Sequence, residues 1–216
     1  MAEDKVTNDG ITVSNIYKSF RDQKVLQGIS FAVPCGGRAV LVGSSGAGKS
    51  TLLRIIAGLI LPDDGQVYLG GELVSTSTWG IEPRRRQMGF VFQSPTLWPH
   101  MTVVDNILFG LSQQEKKEAL EHAAALLAKA RISYIAGKYP DQISGGEAKR
   151  AALVRSIAPC PRYLLVDEPL SNLDDDTKAR LLEFTLAMVE EYKMTLVYVT
   201  HDTNEGKKVD GQIVRI

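Results

Sequence analysis

Residues Gly43-Ser44-Ser45-Gly46-Ala47-Gly48-Lys49-Ser50-Thr51 spell G-x-x-x-x-G-K-S, a pattern suited to holding phosphate. The glycines let the backbone curl so that its N–H groups converge on phosphate oxygens, Lys49 reaches the outer phosphates, and the Ser50 hydroxyl suits Mg²⁺. The flanks agree. Ala39 to Val42 is a short apolar strand, and Thr51 to Gly58 has the apolar spacing of a helix that stops at Gly58. A helix start at the loop adds a favourable partial charge for an anion. A Gly/Ser-rich loop that binds nothing needs neither flank, so strand, loop and helix in this order imply binding of a nucleoside triphosphate.

A second set of residues lies more than a hundred positions on. Tyr163-Leu164-Leu165-Val166-Asp167-Glu168 reads as a buried strand ending in two acids. Acids just past the carboxyl end of a parallel strand stand where open α/β sheets bind ligands. Asp167 is suited to hold Mg²⁺, directly or through water, and Glu168 to orient or deprotonate an attacking water. On its own such a strand end reads more readily as a surface turn; the upstream loop gives it weight. Ile143-Ser144-Gly145-Gly146-Glu147 opens another helix, Ala148 to Ile157. Its small residues leave N–H groups free for an anion, while Ser144 with Glu147 three residues on also has the form of a capping box. His201 follows a strand, Leu196 to Thr200, beside Asp202. His100 and His122 have no such placement and read as structural or surface residues.

The elements that must position these groups alternate. Strand patterns fall at Ile11 to Ile16, Gly28 to Val33, Gln66 to Leu69, Met88 to Phe92, Tyr163 to Val166 and Thr195 to Val199. Pro62-Asp63-Asp64-Gly65 reads as a turn, and Arg84-Arg85-Arg86 as a solvated one. Helical spacing runs from Gln113 to Ala130 and from Asp175 to about Tyr192. This order predicts a mostly parallel α/β sheet with a helical insertion.

At 216 residues the chain is most simply one domain, with 44% hydrophobic and 23% charged residues. Lys plus Arg and Asp plus Glu both number 25, so no basic excess points to nucleic acid or to an anionic membrane surface. Met1 to Gly10 is polar and lacks the apolar stretch of a signal peptide. The longest apolar segment, Leu52 to Leu61, is short and carries Arg54, so any role at a membrane comes through a partner chain. Cys35 and Cys160 lack metal-ligand spacing and read as free thiols.

Taken together, the order of motifs resembles the ATP-binding cassette (ABC) ATPases over nearly the whole chain. In that resemblance Gly43 to Thr51 is the Walker A motif, Leu164 to Glu168 completes Walker B, and Gln93 is the Q-loop glutamine. Ile143 to Glu147 is similar to the LSGGQ signature, Ser171-Asn172-Leu173-Asp174 to the D-loop, and His201 to the switch histidine. Phe20 takes the place of the aromatic that stacks on adenine. The resemblance implies a P-loop NTPase (RecA-like) fold with an N-terminal antiparallel β part. Its core would span 11–93 and 156–216, with a helical subdomain at 94–155.

The family implies a head-to-tail homodimer with ATP held between Walker A of one chain and Ser144-Gly145-Gly146 of the other. Glu147 and Asp174 would border the nucleotide, and Ser50, Gln93 and Asp167 would hold Mg²⁺. Glu168 would activate water, His201 would contact the terminal phosphate, Lys49 would stabilise charge, and Gln93 would couple the site to a partner. Integral membrane permease subunits would dock between the Q-loop and the helical insertion, with a separate solute-binding protein. The chain would then sit peripherally on the cytoplasmic face of the inner membrane.

Lys138-Tyr139-Pro140-Asp141-Gln142, Arg84 to Gln93 and Leu97 to Val103 resemble importers of polyamines, iron(III), sulfate, molybdate and polar amino acids. The alternatives are a cassette that regulates a membrane-bound partner without transport, or a soluble ABC ATPase. The long coiled coil of chromosome-maintenance members and the second cassette of translation-type members are both missing from this sequence. Three departures stand out. Ala148-Lys149 replaces the usual glutamines. Gly206 replaces alanine and is expected to loosen the helix after His201. The sequence ends at Ile216, after what resembles the first strand of a closing hairpin, so no appended regulatory domain is expected.

Overall fold

The computed structural model describes residues 10–111 and 115–216. The polar stretch expected at Met1 to Gly10 lies, up to Asp9, outside the described residues, as does Gln113. In chain order the strands and helices are β1 (Ile11–Phe20), β2 (Gln23–Val33), β3 (Arg38–Val42), α1 (Lys49–Ile56), β4 (Asp64–Leu69), β5 (Glu72–Ser75), β6 (Met88–Val91), α2 (Val103–Phe109), α3 (Lys116–Lys129), α4 (Gly145–Ile157), β7 (Tyr163–Asp167), α5 (Asp175–Glu191), β8 (Thr195–Val199), α6 (Thr203–Val209) and β9 (Gln212–Arg215). They fall into two units. The first holds the described residues up to Met88 together with Lys193–Ile216, and the second holds Gly89–Tyr192.

In the first unit, β2-β1-β4-β5 form an antiparallel sheet. Alternation along β1 buries Ile11 and Val13 against solvent-side partners, and the pairing runs from Ile11↔Val33 to Phe20↔Gln23. The period breaks at Asn15, whose φ is 48°, so that Ile16 points inward as well. Opposite this irregularity Gly65 has φ 95°, and a Cβ there would lie 2.3 Å from the Asn15 carbonyl oxygen; only glycine fits. The turn expected at Pro62 to Gly65 is therefore shorter, because Asp64 and Gly65 already pair in β4. The two hairpin strands also extend further than their apolar patterns, since their outer ends are solvent-facing and carry polar residues.

Beside it, β3 pairs in parallel with both β8 and β9. Ala39, Val40 and Leu41 are buried, as is all of β8, which is the continuous apolar run that a parallel strand covered on both faces requires. Leu52, Leu53, Ile55 and Ile56 of α1 bury the helix face that follows the phosphate loop. In α6, Gly206 is buried, and a Cβ there would sit 3.3 Å from the Val40 Cγ1. The expected loosening at Gly206 is set against this close helix–strand approach: α6 forms through it, from Thr203 to Val209.

Arg86 corrects the reading of Arg84 to Arg86 as solvated. Arg84 and Arg85 are exposed on a short 3-10 turn, but Arg86 is 2% exposed. Its Nε donates to the Ile81 carbonyl (2.9 Å), Nη1 to those of Ile56 (2.8 Å) and Ile55 (3.4 Å), and Nη2 to the Val74 carbonyl and Ser75 Oγ (both 2.8 Å). Its partners are backbone carbonyls, including those at the end of α1, where a cation also opposes the helix dipole. Burial alone lowers its pKa to about 10, so it stays charged at neutral pH.

In the second unit, β6 and β7 are neighbours, and α2, α3, α4 and α5 pack on one another. Tyr163–Asp167 is buried throughout. α2 is capped by Thr102, whose hydroxyl oxygen accepts from the Asp105 amide at 3.2 Å. The buried Asn106 side chain holds the preceding loop: it accepts from the Trp98 N–H and donates to the Trp98, Met101 and Thr102 carbonyls. Arg155 from α4 donates to the Thr96 carbonyl at 2.6 Å and lies 4.8 Å over the Trp98 ring. Among the described residues no helix is long and apolar enough to cross a membrane.

Candidate nucleotide site

The phosphate loop links β3 to α1 as the sequence pattern required. Gly46 (φ 81°) and Gly48 (φ 99°) take left-handed conformations. At Gly48 a Cβ would fall 2.7 Å from Val25 Cγ1 and 2.8 Å from Leu26 Cδ2, so the β2 strand forces the loop to pass there without a side chain. Lys49 is 4% exposed, and its Nζ donates to the Gly43 (2.8 Å) and Ser44 (2.9 Å) carbonyls, which holds the ammonium inside the curve of the loop. Ser45 and Gly46 are exposed at the loop tip, Ala47 N–H closes it onto the Ser44 carbonyl at 3.2 Å, and Ser50 and Thr51 form the first turn of α1. Phe20 ends β1, 48% exposed, with the Lys18 ammonium 5.6 Å from its ring centre.

Because β3 and β8 are parallel, their carboxyl ends lie side by side, and the Thr200 amide donates to the Leu41 carbonyl at 3.3 Å. The phosphate loop and His201 thus leave neighbouring strands on one edge of the first unit. His201 is exposed, between Thr200 and the α6 cap Asp202. Glu205 of α6 braces this turn: Thr200 Oγ1 donates to one carboxylate oxygen at 2.8 Å, and the Tyr198 hydroxyl donates to the other. Burial pushes the Tyr198 hydroxyl pKa well up, which keeps it a donor.

The second unit carries the acids. Asp167 ends β7 and is 4% exposed. Glu168 follows in a left-handed conformation (φ 44°), and its Oε2 accepts from Gln93 Nε2 at 3.2 Å. That bond leaves the Gln93 amide oxygen to accept elsewhere. Ser144 caps α4, whose first residue is Gly145 rather than Ala148. The capping box is present: Ser144 Oγ accepts from the Glu147 N–H at 3.3 Å, and Glu147 Oε2 accepts from the Ser144 N–H at 2.7 Å. Glu147 Oε1 also accepts from the Tyr134 hydroxyl at 2.6 Å. These bonds, Tyr134 first, lower the Glu147 pKa to about 2. Asp174 is exposed and caps α5, accepting from the Thr177 N–H at 2.9 Å, which lowers its pKa.

Gly46, Gly48, Lys49 and Ser50 belong to one unit together with His201 and Phe20, and Gln93, Asp167, Glu168, Ser144 to Glu147 and Asp174 belong to the other. The description "ABC transporter" matches residues 26–171, more than half of the chain. The chain belongs to the ABC transporter family. It is 42% identical over 210 residues to the sulfate/thiosulfate import ATP-binding protein CysA of Pseudomonas syringae pv. tomato, covering 94% of this chain and 63% of that protein. The Escherichia coli K12 CysA is also 42% identical, with 94% and 56% covered. The chain therefore spans about three fifths of these relatives' length. Among solved structures, the ATP-binding cassette MJ0796, in a dimeric post-hydrolysis state bound to ADP and Pi, superposes with a TM-score of 0.84 at 29% identity, over 95% of this chain and 94% of that one. The ABC-type fold, an antiparallel β part with a parallel sheet and helices, is thus the one expected from the motif order.

Three groups near these residues escaped the sequence reading. Arg86 has no charged partner to reveal it, because its acceptors are carbonyls. Tyr134 and Glu147 are thirteen residues apart, a spacing with no local meaning. Lys149 stood out only as a departure from the family; in the structure its ammonium donates to the Ser171 backbone carbonyl and, at 3.0 Å, to Ser171 Oγ.

Proposed function

We propose that this chain is the ATP-binding and ATP-hydrolysing subunit of a membrane importer for a small polar solute or ion. The observation that carries the reading is the geometry around Glu168. A carboxylate directly after a buried strand-end aspartate is held in a left-handed backbone and oriented by the Gln93 amide. A side chain fixed in this way, in an uncommon backbone region, is suited to polarise a water for attack on a terminal phosphate. The glycine curve around Lys49 supplies positive charge and N–H donors for the phosphates. The import function and the sulfate/thiosulfate class named for the relatives support an importer of small polar ions.

In this reading Phe20 stacks on the base, Gly43 to Thr51 cradle the phosphates, and His201 contacts the terminal phosphate from the turn that Glu205 braces. The Ser50 hydroxyl, the Gln93 amide oxygen and the Asp167 carboxylate are all oxygen donors, the chemistry that suits Mg²⁺; these residues would hold the ion, which would neutralise charge on the phosphates. Two chains pair head to tail, and Ser144 to Glu147 with Asp174 close each nucleotide from the partner's side. The helical segment 94–155 meets permease subunits on the cytoplasmic face of the inner membrane, with a separate binding protein delivering solute. The dimeric state of the solved relative MJ0796 is consistent with that pairing.

The deciding experiment is Mg²⁺-dependent ATP turnover of the wild type beside Glu168→Gln, with mass read by light scattering. The expected outcome is turnover in the wild type, and a variant slowed at least ~100-fold that dimerises on ATP. Wild-type turnover by Glu168→Gln would remove Glu168 from the chemistry.

A further inference from the structure

Lys149 lies in the second turn of α4 and is half-buried. Its ammonium donates to both the backbone carbonyl and the hydroxyl of Ser171. The same hydroxyl donates onward to the Glu168 carbonyl at 3.0 Å, and the Ser171 amide donates to that carbonyl at 3.3 Å. Two non-glycine residues of this loop, Glu168 (φ 44°) and Asn172 (φ 58°), are left-handed. Such conformations are costly for residues with a Cβ and persist only where the surroundings over-determine them. A cation that reaches into the loop with charge-assisted hydrogen bonds is such a constraint.

The helix that carries Lys149 begins at the small-residue turn Ser144-Gly145-Gly146, and that turn passes close to the end of the same loop. A Cβ on Gly146 would lie 3.3 Å from Thr177 Cγ2 in α5 and 3.5 Å from Leu173 Cδ2 in the loop, so the helix start and the end of the loop approach to within the space of one methyl group. One braced block thus runs from the Glu168 carbonyl through Ser171 and Lys149 to the turn at Gly146. On the proposed function, on which this inference rests, Glu168 serves the chain's own ATP and Ser144 to Gly146 serve the partner's. We propose that Lys149 is a positioning residue that holds Glu168 in its left-handed geometry and ties it to the turn that closes the opposite nucleotide. A lysine at this place departs from the glutamine usual in the resemblance, so the tether belongs to this chain's own sequence.

The test uses the full chain in four forms: Lys149→Met, Ser171→Ala, the double variant, and Lys149→Arg. Lys149→Met is expected to lower kcat about tenfold while the KM for ATP stays within about twofold. Ser171→Ala should lose less, and the double variant no more than Lys149→Met alone, since both cut one path. Lys149→Arg, which keeps the cation and its donors, should recover most of kcat, and if Lys149→Met does not fold, Ser171→Ala decides the question by the same kcat–KM split. Amide exchange across residues 168–174, read by mass spectrometry without turnover, should rise in Lys149→Met. Wild-type kcat and exchange in Lys149→Met, or losses that multiply in the double variant, would overturn the tether. Failure of the underlying reading looks different: Glu168→Gln itself would turn over at the wild-type rate.

Discussion

A single carboxylate shows how much a side chain's partners decide. Glu147 is held at about 2, from an ordinary 4.5, by the Tyr134 hydroxyl and the Ser144 amide. Its pKa is depressed on folding, so its stabilisation is complete above the unfolded value and fades as pH falls from about 4.5 towards about 2. Glu147→Gln and Tyr134→Phe should each unfold at lower urea than the wild type at pH 7, by about 1 kcal/mol as for a weakened or lost charge-assisted hydrogen bond, with the gap closing in acid. A gap that persists at pH 2 would assign the effect to packing instead. Arg86 is the larger case. Arg86→Met would take the guanidinium donor from the buried Ile56 carbonyl and the half-buried Ile81 carbonyl and should cost about 3 kcal/mol in urea unfolding. Arg86→Lys should recover less than half, because an ammonium lacks the planar fork that spans these acceptors.

Two glycines separate backbone need from packing at the scale of the element. Gly48 combines φ 99° with contact against Val25 and Leu26 of β2. Gly48→Ala must strain the loop and push on that strand. It should lose about 2 kcal/mol of stability and, in a thermal-shift titration, all protection by Mg-ATP. Gly206 is helical and meets only the tip of Val40 and the Thr200 methyl. Gly206→Ala should leave the melting temperature nearly unchanged, since the gain in helix propensity of about 1 kcal/mol is offset by the tight approach to Val40. A large gain would mean that the helix was loose, as its sequence suggests. The boundaries of β1 and β2 show a related limit. Their apolar residues marked where the strands are buried, but pairing carries both strands into solvent, where burial leaves no pattern.

The whole molecule is where folding, ligand and sequence meet. A ligand bound only by the folded chain stabilises it, so Mg-ATP at about 100 times its Kd should add about 2.7 kcal/mol, read as a raised melting temperature that Lys49→Ala abolishes. Much of this was open to reading in the chain itself. The phosphate loop between a strand and a helix, the acids ending β7, the α4 capping box and the parallel α/β order all follow from local periodicity and from side chains acting on neighbours a few residues away. Contacts between distant residues were not. Gln93 with Glu168, Lys149 with Ser171, Tyr134 with Glu147 and Arg86 with the Val74, Ile56 and Ile55 carbonyls join positions 12 to 75 residues apart. Their side chains meet only because packed elements bring them together, and no spacing in the chain encodes those meetings. Residue order alone marks the glycine-loop and acid groups the chain carries and the elements they lie on. How they are held comes from the folded chain: a buried arginine bracing the end of α1, a left-handed glutamate, and a lysine bonded to the loop behind it. Local pattern reflects backbone geometry within a few residues, whereas positioning is set by contacts that exist only in the folded chain.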